Sequence, residues 1–176
     1  MSNTALRYPP VVRALHWLLA LLLVAVFALG LWLGSLGLFD SRQATAGLWH
    51  KSLGLLAALL MLARGLHWRW HRPALPPLGK PWEQRLATLV RGLLYAGVLL
   101  AALSGYLLAT GSGRPLDWFG VLSLPPLVRL DSAMLAQVKS LHGFVVWTLA
   151  VLVGLHLLGA VKHQWLDRQP ILKRML

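Results

Sequence analysis

The chemistry open to this chain rests on imidazole. Seven histidines occur in its 176 residues, His16, His50, His67, His71, His142, His156 and His163, and cysteine does not occur. Disulfides, thiolate zinc sites, iron–sulfur clusters and covalent c-type haem attachment are therefore excluded. The carboxylates are Asp40, Glu83, Asp117, Asp131 and Asp167, and none lies within a long apolar run. That argues against a carboxylate proton relay or a carboxylate di-metal site. Imidazole is the polar group left at membrane depth, where polar groups are costly and tend to be functional.

The elements that position these histidines follow from composition. Hydrophobic residues make up 57% and charged residues 12% of the chain, against roughly 25% charged in a soluble domain. A disordered chain is excluded, and an ordinary soluble globule is disfavoured. The predicted fold is all-α, an integral membrane four-helix bundle forming one domain over 1–176. Spans are expected at about 13–36, 46–67, 86–110 and 138–163, each near the roughly 20 apolar residues that cross a bilayer. Lys51 and Arg64 snorkel from the ends of the second span. Arg72-Pro73-Ala74-Leu75-Pro76-Pro77 ends the second helix, and Gly111-Ser112-Gly113-Arg114-Pro115 ends the third. The longest connection, 111–137, carries Trp118, Phe119 and Pro125-Pro126, and is expected to lie on the membrane surface.

The net charge is +12. In a soluble protein this would suggest nucleic acid. Here the cations lie between apolar runs and read as membrane orientation, so lipid is the expected surrounding and nucleic acid is not a partner. Of the 17 Lys and Arg, twelve collect on one side and Arg42, Lys51, Arg114, Arg129 and Lys139 on the other. Both termini and the second-to-third connection are therefore expected in the cytoplasm, and 111–137 in the periplasm. Trp32, Trp49, Trp68, Trp70, Trp82, Trp118 and Trp165 fall near span ends, as aromatic belts do. Ala28-Leu29-Gly30 resembles a signal cleavage site, but the apolar run is too long and cleavage would remove His16; an uncleaved helix is expected.

His16 falls near the cytoplasmic end of the first span and His50 near the outer end of the second. In the fourth, His142 is outer and His156 follows fourteen residues later, about 21 Å deeper and on nearly the same face. His142 thus matches His50 in depth, and His156 matches His16. Two imidazole pairs stacked across a membrane suit two b-type haems, each with two axial histidines. Gly54, Gly143 and Gly159 are candidates for haem clearance, and Arg13, Lys51 and Lys139 for partners of the propionates. Plainer readings stand beside these. A membrane histidine can simply bond another helix, the glycines can be helix-packing positions, and the cations can be lipid anchors. Zinc is disfavoured because two histidines per depth leave it short of ligands. His67 and His71 sit in a basic run at a helix end and read as headgroup-facing. His163, seven residues beyond His156, is the rival for the inner site.

The chain resembles the bacterial cytochrome b561 family, related to the cytochrome b subunits of nickel hydrogenases. The resemblance is carried by Arg13-Ala14-Leu15-His16-Trp17, by His50 to Gly54, by Arg64, by Ser104-Gly105, by Leu141-His142-Gly143, and by Gly154-Leu155-His156 running into Lys162-His163. It implies a four-helix cytochrome of the bacterial inner membrane with two non-covalent b haems. It implies axial ligands at His16, His50, His142 and His156, paired His16–His156 and His50–His142. It further implies electron exchange with the quinone pool, ubiquinone included, and for some members oxidation of superoxide. Some relatives carry histidines early in the third span, where this chain has Thr88 and Arg91.

The expected function is an oxidoreductase moving electrons between outer and inner haems without proton-pumping side chains. The outer Arg42, Lys51, Arg114, Arg129 and Lys139 concentrate an anionic donor such as superoxide, with part of this charge balancing propionates and phospholipid. The inner face, with Trp68, Trp70 and Trp82, is the expected quinone side. Two alternatives stay open: a membrane anchor of a larger dehydrogenase or hydrogenase, which would co-purify with a partner subunit, and a haem-free four-helix membrane protein, which would purify colourless.

Overall fold

The computed structural model describes residues 7–37, 39–71, 75–76 and 78–176. The expected helix break at Arg72-Pro73-Ala74 and Pro77 lies outside them. In chain order the elements are α1 (Pro10–Ser35), α2 (Gln43–Trp70), α3 (Pro81–Thr110), β1 (Leu116–Trp118), β2 (Leu122–Leu124), α4 (Ser132–Val161) with one π-helical turn (Lys162–Leu166) continuing it, and α5 (Ile171–Met175). Among the described residues four helices, counting α4 with its π turn, are long and apolar enough to cross a membrane. At 26, 28, 30 and 35 residues they exceed the roughly 20 a bilayer core requires, because a helix satisfies its own backbone and need not stop where hydrocarbon stops. The start of α4 shows the local cause: the Asp131 side chain accepts the Met134 N–H at 2.8 Å. That cap starts the helix at Ser132, well before the expected 138, and shortens the preceding connection.

Neighbouring helices pack in chain order, α1 on α2, α2 on α3 and α3 on α4. Leu19, Met61 and Val98 form a small buried core, with Leu23, Leu60, Tyr95 and Leu149 against it. Many large apolar side chains point outward instead, Leu21, Val24, Leu103 and Val151 among them. In water that would be unfavourable, but in a bilayer the outer face meets lipid. Between α1 and α4, Phe27 and Trp147 meet edge to face at 5.6 Å.

Within the connection 111–137 a short hairpin is clasped onto α2. β1 and β2 pair antiparallel, Trp118 opposite Leu122. The turn joining them has φ of 53° at Phe119 and 70° at Gly120, and the Val121 N–H donates to the Trp118 carbonyl at 3.0 Å. A bulky residue with positive φ is strained, and α2 compensates it. The Phe119 N–H donates to Ser52 Oγ at 2.8 Å, and Trp118 Nε1–H donates to the Ser52 carbonyl at 3.1 Å. The Phe119 ring meets Trp49 edge to face at 5.8 Å.

At the opposite end of the bundle α5 meets the start of α1 and the residues just before it. The Tyr8 N–H donates to the Arg174 carbonyl at 2.9 Å, and Trp17 Nε1–H to the Met175 carbonyl at 2.9 Å. These are the hairpin end and the terminal end below. Ser52 is fully buried, so Ser52→Ala leaves the Phe119 N–H without its acceptor, a loss of about 1–3 kcal/mol. Thermal unfolding in detergent followed by circular dichroism should show a lowered midpoint; an unchanged midpoint would mean that the clasp does not contribute to stability.

Candidate cofactor centre

The four histidines meet in two pairs. His16 of α1 faces His156 of α4 with ring centroids 6.3 Å apart and planes at 65°. His50 of α2 faces His142 of α4 at 6.4 Å and 84°. An iron about 2 Å from one nitrogen of each ring, with each ring centre about 1 Å behind that nitrogen, sets centroids about 6 Å apart. At 6.3 and 6.4 Å each pair has the separation that two imidazoles holding one iron would need. His163 is turned elsewhere, its Nδ1 2.7 Å from Asp167 Oδ2. His67 and His71 stack on each other at 4.7 Å.

A common spacing lies behind this. Fourteen residues separate His16 from Gly30 on α1, His50 from Arg64 on α2, Arg91 from Gly105 on α3 and His142 from His156 on α4. Each helix therefore presents one residue to each of two levels, about 21 Å apart along the helices. The hairpin-end level holds Gly30, His50, Gly105 and His142. The terminal-end level holds His16, Arg64, Arg91 and His156. His50 and His142 were legible as ligands because of their residue type; Gly30, Gly105 and Arg64 were missed as site residues, although the same fourteen-residue step points to them.

At the hairpin end the protein orients its imidazoles. His50 Nδ1 lies 3.0 Å from the Val26 carbonyl. A carbonyl only accepts, so Nδ1 carries the proton and Nε2 presents a lone pair. Gly30 makes this approach possible: a Cβ there would stand 2.9 Å from His50 Cε1. His142 is oriented the same way. The Ser104 hydroxyl donates its one proton to the Leu100 carbonyl at 2.8 Å, with that of Ala101 at 3.1 Å, and so accepts from His142 Nδ1–H at 3.0 Å. A Cβ at Gly105 would come within 3.2 Å of His142 Cε1.

The expected clearance glycines differ from these. A Cβ at Gly54 would meet only Val26 at 3.9 Å, and Gly143 and Gly159 face open space. They restrain no imidazole. Among the expected cations, Lys51 is half-buried and directly follows His50, and Lys139 is exposed. Arg13 donates from Nη1 to the Leu176 carbonyl. Arg64 donates from Nη1 to Tyr95 Oη at 2.8 Å and lies over its ring at 5.5 Å. Both arginines keep a buried Nε–H without a hydrogen-bond partner among the described residues. Buried donors of that kind call for an anionic acceptor, and the carboxylates of a haem meet that need.

Two further charged groups are already neutralised. Glu83, His163 and Asp167 bring ligand atoms within 4.8 Å of one another. The Lys162 ammonium bonds both carboxylates at 2.7 Å, so a cation already fills this cluster. Its hydrogen bond, followed by that of His163, holds the Asp167 carboxyl below its usual range. In the α1–α2 connection, hydrogen bonds from the side chain and backbone of Arg42 lower the Asp40 pKa to about 2. The Arg42 charge is thus paired locally at 2.7 Å.

Comparison with known proteins places the chain in a family. The family described as prokaryotic cytochrome b561 matches residues 7–176. Cytochrome b561 homolog 2 of Escherichia coli strain K12 is 34% identical over 177 residues, covering 99% of this chain and 94% of its own length. Cytochrome b561 homolog 1 of the same strain is 27% identical over 166 residues, covering 92% of each.

Gly30→Ala and Gly105→Ala test the orientation of the hairpin-end pair. The closer approach at Gly30 makes its substitution the more damaging. Haem per chain, measured as the pyridine haemochrome after purification, should fall further for Gly30→Ala than for Gly105→Ala; the reverse order would contradict the packing described.

Proposed function

The chain belongs to the prokaryotic cytochrome b561 family, and on that footing we propose that it carries two b haems stacked through the membrane, ligated by His16–His156 and by His50–His142. It is a multi-pass b-type cytochrome of the bacterial inner membrane and works in electron transfer. The observation that carries the two-haem reading is the pair of facing imidazoles at each level, 6.3 and 6.4 Å apart. The terminal end faces the cytoplasm and the hairpin end the periplasm, on the twelve-to-five distribution of Lys and Arg.

The bound haems supply the one-electron iron couple. The chain's residues hold and orient them. Val26 and Ser104 fix the His50 and His142 tautomers, Gly30 and Gly105 give those rings room, and Arg13 and Arg64 offer buried donors to carboxylates. The apolar helices keep water from the electron's path.

The donor is superoxide arriving at the hairpin end, and the acceptor is a quinone, ubiquinone in kind, at the terminal end near Trp68, Trp70 and Trp82. Each superoxide gives up one electron and leaves as dioxygen; two such electrons and two protons convert a quinone to its quinol. Lys51, Arg114, Arg129 and Lys139 raise the local concentration of the anion. Arg42 drops out of that set because Asp40 neutralises it.

Reduced-minus-oxidised visible spectra with a haem count should give two bis-imidazole b haems per chain, and His156→Ala should leave one. Full retention of both in that variant would overturn the ligand assignment. Haem reduction by superoxide should slow as salt rises, since screening shortens to about 10 Å at 0.1 M; a rate indifferent to ionic strength would remove the steering role.

A further inference from the structure

The two levels of the bundle have one architecture and different fixed charge. Where the hairpin-end level has Gly30 and Gly105, the terminal-end level has His16 and Arg91 at the matching steps of α1 and α3. Where α2 has His50 at one level, it has Arg64 at the other. By the fourteen-residue step Arg64 and Arg91 stand at the level of His16 and His156, whose rings face each other. Arg64 is half-buried and its Nε–H is buried. Tyr95 holds it from two sides, by the 2.8 Å hydrogen bond and by its ring. Arg91 is exposed and lies 5.8 Å from the Trp68 ring. Arg13, one turn before His16, adds a third guanidinium. The carboxylates of this end, Glu83 and Asp167, are engaged by Lys162.

At the hairpin end Lys51, next to His50 in sequence, is half-buried, and Lys139 is exposed. Asp40, Asp117 and Asp131 all lie at that end. Buried charge is screened far less than exposed charge, and a guanidinium does not discharge by losing its proton. Propionates bring the same charge to both levels and leave the difference standing.

A haem gains one positive charge on oxidation, so a nearby fixed cation favours its reduced form. Resting on the two-haem reading, we infer that Arg64, clamped by Tyr95 and backed by Arg91, sets the terminal-end haem at the higher potential. An electron entering at the hairpin end then comes to rest at the terminal end. The arginines give the wire its direction, and Arg64 is a tuning residue that ligates nothing.

The test is a potentiometric titration of the purified, haem-loaded protein, followed in the visible bands. Wild type should titrate in two waves, and His156→Ala should lack the higher one. Arg64→Gln should lower that wave so that the electron's partition between the haems changes about tenfold, which is about 59 mV for one electron. Arg64→Lys, which keeps the charge and loses the planar fork, should restore most of the shift. Tyr95→Phe removes only the hydrogen bond and should move the same wave in the same sense by less; it serves if Arg64→Gln loses haem. Equal shifts in Arg64→Gln and Arg64→Lys would make the effect geometric and overturn the inference. A higher wave that survives in His156→Ala, or two waves indifferent to both Arg64 variants and Tyr95→Phe, would overturn it as well. One haem per chain in wild type would instead remove the two-haem reading, and the inference with it.

Discussion

An imidazole at membrane depth has no water to satisfy its two nitrogens, so the protein must supply a partner for each. That constraint shapes the hairpin end of this bundle. One nitrogen of His50 is spent on the Val26 carbonyl, and one of His142 on the Ser104 hydroxyl. The second nitrogen of each is thereby left as a lone pair. The Val26 carbonyl is reachable because residue 30 is glycine, and His142 stands where it does because residue 105 is glycine. Neither glycine bends the chain. Both let a ring come close to a helix backbone.

The same constraint sets the spacing of the helices. Fourteen residues bring a helix back to nearly the same face about 21 Å further along, and all four helices use that step. The apolar core of Leu19, Met61 and Val98, with Leu149 against it, lies between the two levels. It separates the pairs with packed hydrocarbon, the medium in which fixed charges act with least screening. The long Leu-rich outer faces need no burial in protein, because the bilayer serves as their solvent.

The two ends of the molecule are closed differently. At the hairpin end a strained turn is pinned on α2 by Ser52, two residues from His50. At the terminal end α5 folds back on α1, where Trp17, beside His16, holds the Met175 carbonyl. Both closures attach to the helix segment that carries a ligand candidate. The family's electron-transfer chemistry is thus set on a frame that limits movement of the imidazoles and leaves the helix exteriors to lipid.

Much of this was legible in the residues. Hydropathy and length are local properties, so the four spans could be read directly. The fourteen-residue step from His142 to His156 also lies within one helix, and it gave both depths. The hairpin was not legible, because Phe119 accepts its positive φ only through contact with Ser52, 67 positions away. The choice of His156 over His163 opposite His16 was undecided for the same kind of reason: it depends on how α4 is rotated and on Asp167 taking the later ring. Arg64 read as a snorkelling end residue until α2 was set beside α1 and α4. Sequence alone determined which residues lie at which depth, since helical rise is the same everywhere. Only the tertiary structure decided which side chains face one another at that depth, since that depends on the rotation of each helix against its neighbours.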